Sequence, residues 1–92
     1  MTSSKGQQGG RTLFKNKNPD GTLNICGKKI ELLRKSKKLS QRALADELQL
    51  MGIDLGKNAI QQIESGERFV IDIELRAFAS YFGVPSDDLI VD

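Results

Sequence analysis

The sequence has no histidine and only one cysteine, Cys26. Without histidine the commonest general base is missing, and the carboxylates stand singly or in pairs such as Asp46-Glu47 and Asp87-Asp88, which suit solvated helix faces or caps. No catalytic residue is expected, and the chain reads as a non-enzyme. A lone cysteine cannot form an intramolecular disulfide, and a Cys/His zinc site within one chain is ruled out. Cys26 therefore reads as a small buried apolar residue near a helix start, and neither a metal nor a cofactor is expected. There is no glycine-rich phosphate loop, since "GQQGG" is not followed by Lys-Ser/Thr. No apolar run approaches the roughly 20 residues of a membrane helix, and the opening "MTSSKGQQGGR" lacks the apolar stretch of a signal peptide. The cytoplasm is the expected location, with no membrane partner.

What is present is enough for one small unit. Ninety-two residues at 38% hydrophobic can build one modest core. The net charge of +2 hides a strong asymmetry: residues 1–38 carry ten Lys/Arg against Asp20 and Glu31, whereas residues 39–92 carry four against ten acids. A basic end of this kind can contact phosphates while the acidic end faces elsewhere.

Residues 1–23 divide from the rest. Ser, Gly, Gln and Lys up to Arg11 cannot bury enough surface to offset the entropy of ordering. Asn18-Pro19-Asp20-Gly21 is a turn signal, because Pro presets φ and Gly accepts a positive one. Residues 1–23 are expected to form a flexible arm carrying a turn or a small hairpin, and residues 24–92 the folded domain. Asn24 caps a first helix to about Lys37, with Ile30 and Leu33 inward. Ser40 caps a second helix over "QRALADELQLM", with Leu44, Ala45 and Leu48 inward and Gly52 at its end. Ser40 has Ala43 where a capping box wants Glu or Gln, so one cap bond is expected. A third helix spans roughly Lys57 to Ser65 and stops at Gly66. A fourth, from about Asp72, carries Leu75, Phe78, Ala79 and Phe82 until Gly83 and Pro85; Ser86 opens a last short turn. The sum is an all-α bundle of five helices.

The third helix has an unusual outer face. At 100° per residue Ala59, Ile60 and Ile63 lie on one side, and Asn58, Gln61 and Ser65, flanked by Lys57 and Gln62, on the other. Lys, Glu and Arg are the usual fillers of a solvated face. Amides on one helix can simply fill a surface, and on the helix alone that is the preferred reading; they also offer a paired donor and acceptor, which match the N6/N7 edge of adenine in the DNA major groove, where a good bidentate pair is worth about 1–3 kcal/mol of discrimination.

The ordered set "LSQRALADEL…AIQQIESGER", preceded by "IELLRKSKKLSQ" and followed by "LRAFASYFGVPSDDLI", resembles the helix-turn-helix of the phage-repressor-like (Xre/Cro) family of transcriptional regulators over about residues 24–91. The resemblance implies a five-helix lambda-repressor-like DNA-binding bundle with a flexible N-terminal arm, acting on double-stranded DNA as a homodimer through the C-terminal helix, with Leu89, Ile90 and Val91 as the contact. It puts Gln41 at backbone phosphate or an end base, and Lys57, Asn58, Gln61 and Gln62 at base edges. Arg68 and the backbone N–H groups of Ser65 and Gly66 fall at phosphate. Arg34 and Glu64 fall at the family's buried ion pair. The connection "LQLMGIDLG" is longer than the family's tight turn, so the resemblance does not fix the docking angle; Leu48, Leu50, Met51, Ile53 and Leu55 suggest a longer second helix and a connection folded onto the core. The competing reading is a protein-interaction module, such as an antitoxin that neutralises a partner protein.

Overall fold

The computed structural model describes residues 17–90. Among them the chain forms five helices and no strand: α1 (Gly27–Ser36), α2 (Gln41–Leu50), α3 (Lys57–Ser65), α4 (Asp72–Phe82) and α5 (Asp87–Ile90). No helix among the described residues is long and apolar enough to cross a membrane. The expected all-α architecture stands, with α3 packed against α1 and α2, and α2 against α4.

The helix caps explain the boundaries. Ser40 Oγ accepts the Ala43 N–H at 3.0 Å, the one cap bond expected of it. The four longer helices then close in the same way. Leu39, Ile53, Glu67 and Val84 each donate an N–H to the carbonyl five residues back, across a residue with positive φ. That residue is glycine at 52, 66 and 83; at 38 it is Lys, with φ of 59°. Asn24 also caps, though at one remove: its Oδ1 accepts the Gly27 N–H at 2.8 Å, and the regular helix begins at Gly27.

The core is formed by Ile30 from α1, Leu44 and Leu48 from α2, Ile60 and Ile63 from α3, Phe78 from α4 and Leu89 from α5, all fully buried. The apolar connection folds inward only in part. Leu55 is buried and Ile53 packs on the core, but Met51 is exposed and Leu50 is 84% exposed. The reason is angular: Leu50 stands two residues, about 200°, from the inward Leu48.

The turn at Asn18–Gly21 also forms. Gly21 donates its N–H to the Asn18 carbonyl and Asn18 donates to the Thr22 carbonyl, both at 2.8 Å. Asp20 locks it by accepting from the Thr22 hydroxyl at 2.7 Å and the Thr22 N–H at 3.0 Å. No strand ladder continues it among the described residues. This closed turn is not free: Leu23 donates its N–H to the Gly66 carbonyl at 2.8 Å, and Thr22 covers Gly66. Residues 18–23 of the expected arm thus lie fixed against the end of α3. Residues 1–16 of that arm lie outside the described residues.

Asn24 and Gly27 fasten α1 to α3. Asn24 Nδ2 donates to the Ile63 carbonyl at 3.1 Å and to the Arg68 carbonyl at 2.8 Å. A Cβ on Gly27 would overlap the Ile63 carbonyl oxygen. Ala ordinarily favours a helix over Gly by about 1 kcal/mol, but here the clash is with backbone and cannot rotate away. Gly27→Ala is therefore expected to destabilise the fold by at least about 2 kcal/mol. A denaturation midpoint at or above the wild-type value would show that α1 and α3 do not approach so closely.

Candidate nucleic-acid interface

The site is built on α3. Its inward face is Ile60, Ile63 and Glu64, all buried, and its outward face is Lys57, Asn58, Gln61, Gln62 and Ser65, all exposed. The helical period brings the five predicted polar side chains to one surface. Among the described residues the side chains of Asn58, Gln61 and Gln62 form no hydrogen bond with the protein, so their donors and acceptors face outward unspent. Ser65 differs, because its hydroxyl donates to the Gln62 carbonyl at 3.1 Å.

The N-terminus of α3 breaks the rules of helix stability. Its N-cap is Gly56, with no side-chain cap, and its first turn holds Lys57 and no acid. A cation there opposes the helix dipole, and the first N–H groups lack partners. An approaching anion would relieve both, which suits a helix end meant for a charged ligand.

Behind this face lies the expected buried pair. Arg34 and Glu64 are 8% and 5% exposed, joined by Nε to Oε2 at 2.6 Å and Nη2 to Oε1 at 3.0 Å. The third donor is not wasted: Arg34 Nη1 donates to the Leu39 carbonyl at 2.7 Å. The bonds to Glu64 hold the Arg34 guanidinium above its ordinary pKa, against the opposing effect of burial. Gln41 joins the same node, its Nε2 donating to Glu64 Oε1 at 3.0 Å.

Three of the positions assigned to DNA are therefore engaged inside the protein. Gln41 is half-buried and keeps its carbonyl oxygen and one amide proton for an outside partner. Arg68 is also half-buried, its Nη1 3.3 Å from Glu74 Oε1, a carboxylate that in turn accepts the Ile71 N–H at 3.2 Å. Gly66 is a correction. It is buried under Thr22 and its N–H is spent on the Ile63 carbonyl at 3.1 Å, so it offers no free backbone donor to phosphate. The Ser65 N–H, within the last turn of α3, likewise belongs to the helical ladder.

No group of three or more His, Cys, Asp or Glu among the described residues is placed to hold a metal. Burial pushes the Cys26 thiol up to about 11, so it is uncharged at neutral pH and serves as packing.

A second helix capped by Ser40 and tied through Gln41 to a third that turns its amides outward is the arrangement of a helix-turn-helix. The family described as Helix-turn-helix matches residues 30–89, well over half the chain. The chain belongs to the phage-repressor-like (Xre/Cro) helix-turn-helix family of DNA-binding transcriptional regulators. No curated protein and no solved structure matches it. The match begins at Ile30, so the Asn18–Thr22 turn and the Asn24 tie stand outside it.

Removing one member of the buried pair leaves the other charged and without its partner. Glu64→Ala is expected to lower stability by about 3–5 kcal/mol, measured as a shift in denaturation midpoint. A midpoint indistinguishable from wild type would mean that the pair is solvated in solution.

Proposed function

We propose that the protein is a sequence-specific transcriptional regulator that lays α3 in the major groove of double-stranded DNA. The observation that carries this reading is the outward amide face of α3, whose hydrogen-bonding groups have no use within the protein. Asn58, Gln61 and Gln62 read base edges, and Lys57 takes a guanine edge or a phosphate. Gln41, Ser65 and Arg68 position the backbone, Arg68 with its free nitrogens while Glu74 holds the other. The geometry argues against a backbone contact from Gly66.

Two chains act together in this reading, because one helix reads too few base pairs to pick a site out of a genome. A two-fold axis sets the half-sites about 10 base pairs, or about 34 Å, apart or at a multiple of that. The C-terminal helix remains the proposed contact, with less surface than the sequence implied. Leu89 is fully buried in its own core, Ile90 is exposed, and Val91 lies outside the described residues.

The protein-interaction reading, an antitoxin-like module, draws on one observation. Phe69, Ile71 and Ile73, between α3 and the start of α4, are each at least half exposed. Ile71 sits at the N-cap of α4, where its side chain can accept nothing. Salt separates the two readings: phosphate neutralisation makes log K fall steeply with log salt, and an apolar contact hardly responds.

Selecting bound sequences from a random DNA pool tests the first reading directly. On the selected site, Asn58→Ala and Gln61→Ala should relax base preference at different positions, each by about 1–3 kcal/mol, with the fold unchanged. An unchanged ratio of selected-site to random-DNA affinity in both variants would remove α3 as the reader. The stoichiometry on that site is expected to be two chains, and the selected sequence to carry a two-fold repeat. One chain on a sequence without a repeat would sink the dimer.

A further inference from the structure

The turn at Asn18–Thr22 and the start of α1 enclose a cleft with the end of α3. It holds about 690 Å³ and is open along one side, room for a stretch of phosphodiester chain rather than one ion. Its floor and walls include Ile25, Leu32 and Ser65, and two ammonium groups, Lys28 and Lys29, belong to its lining. Ser65 lies four residues beyond Gln61, one helical turn along the outward face of α3. The cleft is therefore the direct continuation of the amide surface past the end of the reading helix.

Two of its charges are free to meet an anion. Among the described residues neither Lys28 nor Lys29 takes part in an ion pair. Two of the acids near them are paired with other cations, and the third, Asp20, keeps its charge while its Oδ1 accepts from Thr22. Glu64 is bound to Arg34, Glu31 to Lys35 at 3.1 Å, and Asp20 accepts both bonds from Thr22. Ile25 and Leu32, 51% and 65% exposed, add apolar surface to the same lining, the kind of surface a deoxyribose can cover.

We propose that Lys28 and Lys29 form a second phosphate-binding track, in which the cleft between the Asn18–Thr22 turn, α1 and the end of α3 receives the DNA backbone that flanks the base pairs read by α3. This rests on the DNA-binding reading of α3 and extends it to residues at or before the edge of the family match. The turn acts as a wall: fixed by Thr22 on Gly66 and by the Leu23–Gly66 bond, it sets the width of the cleft, and its one charge, the Asp20 carboxylate, lies in the lining opposite in sign to the two lysines.

The test is the salt dependence of affinity for the selected duplex, measured for wild type, for the double variant Lys28→Gln/Lys29→Gln, and for a control of matched type, Lys37→Gln. Lys37 directly follows α1, and its ammonium lies 5.6 Å from the Tyr81 ring on α4, away from the cleft. The double variant is expected to keep its thermal midpoint and its base preference, to bind several-fold more weakly, and to lose about 1–2 from the slope of log K against log salt. Lys37→Gln should leave the slope near the wild-type value. An unchanged slope in the double variant, beside a steep wild-type slope, overturns the track and leaves α3 as the reader. A per-lysine loss in Lys37→Gln equal to that in the double variant also overturns it, because net charge alone would then explain the change. A wild-type protein with no salt-dependent DNA binding would overturn both the track and the reading it rests on.

Discussion

Everything about the orientation of α3 depends on Glu64. It is the one charged residue on the inward face of that helix, and burial would cost several kcal/mol if it were not met by a matching fork of donors. Arg34 supplies two bonds and Gln41 a third, while the remaining Arg34 nitrogen is absorbed by the Leu39 carbonyl. One carboxylate thereby fixes α1, the α1–α2 turn and the first residue of α2 relative to α3. A hydrophobic contact of similar volume could stabilise as much, but it would tolerate small rotations. The bidentate pair constrains them more tightly, and with them the direction of the outward amides.

A second fastening stands at the same end of that helix. Asn24 holds the Ile63 and Arg68 carbonyls, Gly27 allows α1 to meet Ile63 closely, and Thr22 closes over Gly66. Both fastenings act on the C-terminal half of α3. Its first two residues, Lys57 and Asn58, are exposed, and its N-cap has no side-chain partner. The helix is thus gripped at one end and projects at the other. That is a mechanical requirement for entering a groove, because the entering end must be unencumbered and its direction must not waver.

The sequence made much of this legible, and the part it concealed follows a rule. Helix extents and inward faces are local properties, set by the spacing of Leu44, Leu48, Ile60, Ile63 and Phe78 and by glycines after the last turn, so they were read correctly. The outward amides were legible for the same reason, since exposure follows the period. Leu50 misled because an apolar residue near a helix end was read by type, whereas its angle from Leu48 decides its exposure. Tertiary partners left no local trace. Nothing around Gln41 or Arg68 announces that Glu64 and Glu74 will hold them, and Gly66 looked available until Thr22 came to lie over it. Asn24 was visible as a cap; its two bonds to carbonyls some forty residues away were not. Lys28 and Lys29 stood out only as members of a basic run, and it is the close packing of α1 against α3 that brings them to one cleft with Ser65.

The division of labour between amides and lysines bears on why the net charge is so small. Phosphate contacts raise affinity for every sequence alike, whereas an uncharged amide at a base edge raises it for one. A regulator gains nothing from charge that also holds it to random DNA. Here Lys28 and Lys57 are exposed and Lys29 half-buried on α1 and at the start of α3, while Asp46, Asp72, Asp87 and Asp88 are exposed on α2, α4 and α5, which also carry the exposed Arg42 and Arg76. In the proposed complex acids more than about 8 Å from the cations that meet phosphate leave those contacts largely uncancelled, since charges that far apart are screened at physiological salt. In that reading affinity for random DNA stays modest because few cations meet phosphate, and the ratio of specific to non-specific affinity, on which occupancy of one site among many depends, rests on the amides.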